Sequence, residues 1–325
     1  MLYYIIRRLL YAIPILIGVN IITFCLFFIV NTPDDMARIH LGEKHVSNES
    51  IERWKIVHGY DKPLFINEKN SGVGLITDTI FFQKSLKLFI FDFGQGDDGR
   101  DISYDISHRI GPSLALAIPA FILGILTNIT FALILAFFRR TYLDVWGSFL
   151  CVALMSISGL FYIIAGQYLI GKVLKLTPIS GYQGSIDAWK FVILPVVIGI
   201  ISGIGSGTRW YRVIFLEEMS KDYVKTARAK GLSERRVMFV HILKNGLIPI
   251  LTGVVVIIPS LFMGSLVMES FFGIPGLGSY TLDAITQQDF SALRAMVFLG
   301  SLLYILGLIL TDITYALVDP RIRLG

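Results

Sequence analysis

Asp222-Tyr223-Val224-Lys225-Thr226-Ala227-Arg228-Ala229-Lys230-Gly231 is a polar, basic, helix-prone run between two long apolar segments. Charge at this density is excluded from hydrocarbon, so the run lies in water and the flanking segments cross a membrane. Its Lys and Arg content places it on the cytoplasmic side by the positive-inside rule. From Leu216 onward, Met219, Tyr223 and Ala227 recur at spacings of three to four, while Glu217, Lys221, Asp222, Lys225 and Arg228 occupy the other faces. That pattern predicts an amphipathic helix. Gly231 ends it directly after the basic residues Arg228 and Lys230, as a C-terminal glycine does. Residues 233–241 continue as a second short helix before Asn245 and Pro249 lead into the next apolar segment. An ordered basic loop of this kind either docks a soluble partner, with Ala227, Ala229 and Gly231 small enough for close approach, or lies on the lipid headgroups.

Working outward, six segments are long enough to span: 9–30, 113–138, 145–171, 190–208, 246–268 and 295–318. Each meets or approaches the roughly 20 residues that a bilayer core requires of a helix. The chain of 325 residues is 54% hydrophobic, and its mean hydropathy is +0.68, a balance that soluble domains seldom reach. The expected fold is therefore all-α: a polytopic membrane protein with six transmembrane helices. Arg7 and Arg8 precede the first segment, which is too long for the apolar core of a cleaved signal peptide and reads as a retained helix.

Basic residues set the orientation. Arg7, Arg8, Arg139, Arg140, Arg209, Arg212, Lys221, Lys225, Arg228, Lys230, Arg235, Arg236, Lys244, Arg321 and Arg323 fall on one side, against Lys172, Lys175, Lys190 and Arg294 on the other. Fifteen against four puts both termini in the cytoplasm, N-in and C-in. The net charge of +5 and the pI near 9.1 reflect these loops and not a nucleic-acid footprint. Residues 1–30 then form the first transmembrane helix and 31–112 an extracytoplasmic loop. Residues 113–325 form a five-helix core with a cytoplasmic helical element near 217–241. Within the loop, 47–57 reads as a short helix capped by Ser47 or Asn48, with Ile51, Trp54 and Val57 on one face. A small folded cap over the outer mouth is expected there.

Chemistry-bearing motifs are sparse. No phosphate-binding Gly-x-x-x-x-Gly-Lys-Ser/Thr occurs, so the chain carries no ATPase signature. Ser202-Gly203-Ile204-Gly205-Ser206-Gly207 lacks the nucleophile pattern Gly-x-Ser-x-Gly and has no His in a span to act as base; it predicts close helix packing. His40, His45, His58, His108 and His241 show no ligand spacing, and Cys25 and Cys151 read as small buried hydrophobes. No catalytic, cofactor or metal site is expected. Asn20, Asn128 and Gln167 either line a pore or hydrogen-bond between helices. Glu269 falls at the outer end of the fifth segment, where water is expected nearby. Asp312 falls toward the cytoplasmic end of the sixth segment, and no apolar segment carries a pair of central acids of the kind a proton-coupled carrier uses.

The stretch 222–233, with His241 and Asn245 after it, resembles the coupling loop of peptide-type ABC importer permeases. Arg7-Arg8-Leu9, Gly59-Tyr60-Asp61-Lys62-Pro63-Leu64, Phe91-Asp92-Phe93-Gly94, Gly273-Ile274-Pro275-Gly276-Leu277-Gly278 and Val318-Asp319-Pro320-Arg321-Ile322-Arg323 resemble the same family in the same order. The resemblance is nearest the B-type subunit of oligopeptide permeases, in the oligopeptide/microcin C branch. Two departures stand out. Asn31-Thr32-Pro33-Asp34-Asp35 replaces a Gly-Asp-Pro that many relatives carry, and Lys225-Thr226-Ala227 stands where the general importer signature begins Glu-Ala-Ala.

The resemblance implies a pore-forming subunit of a binding-protein-dependent importer in a bacterial cytoplasmic (inner) membrane. Its partners would be a second homologous permease subunit, two ATP-binding subunits, an extracytoplasmic substrate-binding protein, membrane lipid and a peptide substrate, with no nucleic acid. Asp222, Tyr223, Thr226, Ala227, Arg228, Ala229, Lys230 and Gly231 would couple to the ATPase. Asn128, Gln167 and Ser265 would line the peptide path. The alternatives are a secondary carrier or channel acting alone, or an ABC permease for another solute such as nickel.

Overall fold

The computed structural model describes residues 2–42, 46–68, 72–96, 98–184 and 187–318, with side chains from 6 to 314. Among sequence features singled out above, His45, Arg321, Arg323 and most of the 318–323 motif lie outside the described residues. The described chain is helical: α1 Leu2–Cys25, α2 Pro33–Leu41, α3 Asn48–His58, α4 Gly74–Thr77, α5 Ile80–Lys84, α6 Ile102–Phe137, α7 Tyr142–Met155, α8 Gly159–Gly166, α9 Ala188–Met219, α10 Asp222–Ala229, α11 Glu234–Arg236, α12 Lys244–Ile257, α13 Leu266–Phe272, α14 Leu277–Gln287 and α15 Phe290–Val318. Turns of π-helix extend α1, α8 and the start of α12.

Five continuous stretches are long and apolar enough to cross a membrane: Ile6–Val30, Ile102–Phe137, Ala188–Met219, Glu234–Met263 and Phe290–Thr314. A sixth is made by Tyr142–Met155 and Gly159–Val173, which meet at 89°. The chain is thus an all-α polytopic membrane protein. Several expected boundaries shift. The second span starts at Ile102 rather than at 113. The third span is bent, not straight. The fourth runs on to Met219. The fifth starts near Glu234 and stops at Met263, because Gly264 takes φ +66° and Ser265 starts a new helix.

The chain divides into two compact units, 1–110 with 280–309, and 111–279 with 310–325. In the first, Phe24 and Phe28 meet Met36, Ala37, Ile51, Trp54, Tyr60 and Ile80 in one apolar core. Aromatic edges organise it, with Phe24 and Phe81 centroids 4.9 Å apart and Phe28 and Tyr60 5.5 Å apart. The departure at 31–35 has a local cause. Thr32 caps α2, accepting from the Asp35 N–H at 3.3 Å while the Asp35 carboxylate accepts from the Thr32 N–H at 3.2 Å, and Pro33 fills the first turn. Ser47 caps α3 as expected, and Ile51 and Trp54 are buried, but Val57 is 79% exposed. Gly59 turns left-handed straight after the helix and sends Tyr60, not Val57, into the core.

In the second unit, α7 and α9 pack closely. Gly205 lies against the backbone of Cys151 and Met155, and Gly207 against Asn128, with no room for a side chain at either glycine. This is the close packing that the 202–207 run predicts. Arg212 of α9 clamps Asp144 of α7 with two bonds, Nε to Oδ1 at 3.0 Å and Nη2 to Oδ2 at 2.9 Å, while the Arg140 N–H donates to the same carboxylate at 3.0 Å. Arg212, counted above with the loop residues, is a helix-pairing residue: removing either partner would strand a largely buried charge.

Candidate functional site

The basic run quoted first divides into a helix, a turn and a return. α9 ends at Met219, where the Ser220 hydroxyl donates to the Glu217 carbonyl at 2.7 Å, and Lys221 is extended. The expected single helix from Leu216 is therefore broken at 220–221. α10 follows, with Val224 and Ala227 buried against Phe215, Met219, Val237, Met238 and Ile242. The inward stripe is Val224 and Ala227, spaced i to i+3, rather than Tyr223 and Ala227. Gly231 sits at φ +76°, a conformation that side chains disfavour. There its N–H donates to the Arg228 carbonyl at 2.9 Å, and the Leu232 N–H donates to Ala227 at 3.3 Å. Arg228 then bridges the turn, its Nε and Nη2 donating to Glu234 Oε1 and Oε2 at 2.8 and 3.2 Å. A bidentate pair fixes angle as well as distance, so α10 and the start of the next span are held together as one piece.

The other expected site residues are placed as follows. Asp222 pairs with Lys225 at 2.7 Å, and that ammonium holds its carboxyl below the usual range. Tyr223 donates to the Glu218 carboxylate; burial, then that neighbour, pushes its hydroxyl up to about 12. Thr226, Ala229, Lys230 and Gly231 are exposed along the outward side. Ala227 is 5% exposed and turned into the chain's own core, so it offers no surface to a partner. The outward strip is small and basic, on a helix locked to two spans.

The three expected path-lining residues make hydrogen bonds within the second unit. The Asn128 amide oxygen accepts from the Thr208 hydroxyl at 3.3 Å, joining α6 to α9. Gln167 donates to the carbonyls of Ile179 and Phe271 at 3.2 and 2.9 Å, tying α8's end to the loop before α9 and to α13. Ser265 caps α13, accepting from the Met268 N–H at 3.3 Å, although it also borders a cavity of about 370 Å³ with Pro195, Gly199 and Phe121. For Asn128 and Gln167 the helix-pairing alternative is what the geometry supports.

Glu269 was missed. Instead of facing water it is 0% exposed. Its Oε1 accepts from the Ser113 hydroxyl at 2.8 Å and the Ser265 N–H at 3.1 Å, and its Oε2 from the Ser279 N–H at 3.0 Å. Ser113 in turn accepts from the Leu277 N–H at 2.7 Å. Side chains at Gly264 or Gly276 would occupy the space of this carboxylate. The glycine-rich loop 273–278 is thereby wrapped round a buried acid, and its glycines were the available signal.

This architecture defines a class: a polytopic α-helical membrane protein with a short basic helix between two spans. Residues 113–324 match the family described as the inner membrane component of binding-protein-dependent transport systems, and residues 1–85 match the N-terminal part of such membrane components. The chain belongs to this family. It is 31% identical over 325 residues, 98% of each chain, to a protein of Brucella abortus (strain 2308) named as a peptide transport system permease. It is 29% identical over 330 residues to the oligopeptide transport system permease AppB of Bacillus subtilis, covering 98% of this chain and 99% of that one. Against the dipeptide transport system permease DppB of Escherichia coli K12 the identity is 28% over 351 residues, with 99% of each covered. The chain is accordingly a multi-pass inner-membrane transport subunit and not a catalytic one.

Proposed function

We propose that this chain is the permease subunit of a binding-protein-dependent ABC importer for peptides. The observation that carries the reading is similarity from end to end with proteins named as peptide, oligopeptide and dipeptide permeases. A carrier or channel acting alone has no such support. ATP is hydrolysed by two separate partner subunits, a second homologous permease completes the pore, and an extracytoplasmic protein delivers the peptide. Both termini face the cytoplasm, on the same side as α10.

The outward strip of α10, from Asp222 to Gly231, seats on the ATPase. Support comes from its rigidity: Val224 and Ala227 anchor it inward, and Arg228–Glu234 fixes it to the next span. Movement of an ATPase surface would therefore be passed to α9 and α12 rather than absorbed locally. Purification through a tag on this chain, followed by mass spectrometry, should recover a homologous permease and ATP-binding chains. Recovery of a transport-active assembly containing this chain alone would sink the reading.

A further inference from the structure

Coupling and helix pairing do not call for the bend in the third span. Its two arms, Tyr142–Met155 and Gly159–Val173, meet at 89°. Each arm is roughly 20 Å long, so across a right angle their far ends lie roughly 28 Å apart, close to the ~30 Å of a bilayer core. Arg139 and Arg140 stand before the first arm, and Lys172 and Lys175 close the second, so both far ends reach water. The corner between the arms, 156–158, therefore falls near the bilayer midplane.

The inside of the bend is filled by α9. Gly205 lies against the backbone of Cys151 and Met155, and Gly166 against Ile198. The outside is open: Met155, Ser156, Ile157, Ser158, Gly159 and Leu160 are all exposed.

That open side carries polar groups. The N–H groups of Ser158, Gly159 and Leu160 make no hydrogen bond among the described residues; the bonds at the corner run from Ser156 to Val152, from Ile157 to Leu154 and from Phe161 to Ser158. The Ser158 side chain makes no capping bond to α8. The Ser156 hydroxyl donates to the Val152 carbonyl at 2.8 Å, and its oxygen still has room to accept. Lipid tails offer such groups no partner. Non-helical backbone at this depth persists only where protein buries it or a water-filled cavity reaches it, and this chain does not bury it. A broken helix near the midplane is also a recurrent way for a transporter to present backbone groups to its substrate.

The chemistry of the corner suits one kind of substrate. Its open groups are uncharged backbone donors and hydroxyls, which match the carbonyls of a peptide whatever side chains the peptide carries. We propose that residues 156–160 line the peptide path and offer these groups to the backbone of the passing peptide. The proposal rests on the peptide-import reading. It moves the lining of the path from Asn128 and Gln167, which pair helices, to a segment whose donors are left open.

Thiol accessibility in the full assembly, reconstituted in vesicles with Cys25 and Cys151 replaced, tests it. The probe is a small charged methanethiosulfonate present on both sides of the membrane. Ser158→Cys should react at least tenfold faster than Phe149→Cys, an exposed position in the continuous part of α7, and a saturating oligopeptide should slow it severalfold. Gly159→Leu supplies a second readout. An added Cβ there meets nothing within 4 Å, so the change brings no clash within the chain. Its bulk should nevertheless cut oligopeptide uptake tenfold or more, with both permeases still recovered together. Ser158→Cys reacting no faster than Phe149→Cys would overturn the proposal, since lipid or the second permease then covers the corner. So would a reaction that the oligopeptide does not slow, or loss of the second permease from the Gly159→Leu assembly. ATP-driven oligopeptide uptake by the unsubstituted assembly is scored separately: its absence would sink the import reading, whereas failure at the corner leaves that reading standing.

Discussion

At Glu269 every neighbour within bonding distance of the carboxylate is a donor: the Ser113 hydroxyl and the N–H groups of Ser265 and Ser279. Glu269→Gln keeps the volume but turns an amide NH₂ toward one of those donors, which should cost about 1–3 kcal/mol. Glu269→Ala leaves all three donors unsatisfied beside a new cavity and should cost about 3–5 kcal/mol. Thermal unfolding of the purified chain should rank wild type above Gln and Gln above Ala; an Ala variant as stable as wild type would contradict the assignment. The glycines of the 273–278 loop were the one trace of this site in the sequence, because its donors come from positions 113, 265 and 279 and meet only in the fold. Val57 went astray for a nearer reason. Its helical spacing from Ile51 and Trp54 is right, but α3 ends at His58, and the left-handed Gly59 hands the inward position to Tyr60.

Among the elements, α10 was legible in kind but not in extent. Polar composition and the closing Gly231 identify a helix in water, whereas the break at Ser220–Lys221 is hidden by apolar spacing that runs on from α9 through Met219. Which residues face out was also only partly readable, since Ala227 is as small as Ala229 yet points inward. The surroundings of Gly231 give a clean test of docking. An added Cβ there meets nothing within 4 Å, so any substitution strains only the backbone, by about 1–2 kcal/mol. Gly231→Ala and Gly231→Trp should therefore lower the unfolding midpoint of the isolated chain by similar amounts. Only the Trp variant, whose bulk would invade a partner, should lose uptake while ATP hydrolysis by the assembly persists. Equal uptake in the Trp variant and wild type would remove α10 from the coupling role.

On the scale of the whole molecule, the spans were readable because about 30 Å of hydrocarbon demands an apolar length that few other structures need. The 89° bend between α7 and α8 was not, since bent and straight pairs have the same composition. Orientation follows from charge. With Cys25 and Cys151 replaced, membrane-impermeant thiol labelling of intact cells should reach Val57→Cys but miss Leu2→Cys and Leu324→Cys. Labelling of either terminus without permeabilisation would reverse the topology.

The central claim is that this chain passes peptides inward under the control of ATP through α10. The most direct measurement is accumulation of a labelled oligopeptide in proteoliposomes holding the assembly purified through a tag on this chain, with its delivering protein supplied. Accumulation should require ATP, fall when unlabelled peptides of varied side chains compete, and disappear in Gly231→Trp. Accumulation that proceeds equally without ATP, or of a single ion or sugar while oligopeptides neither enter nor compete, would contradict the account.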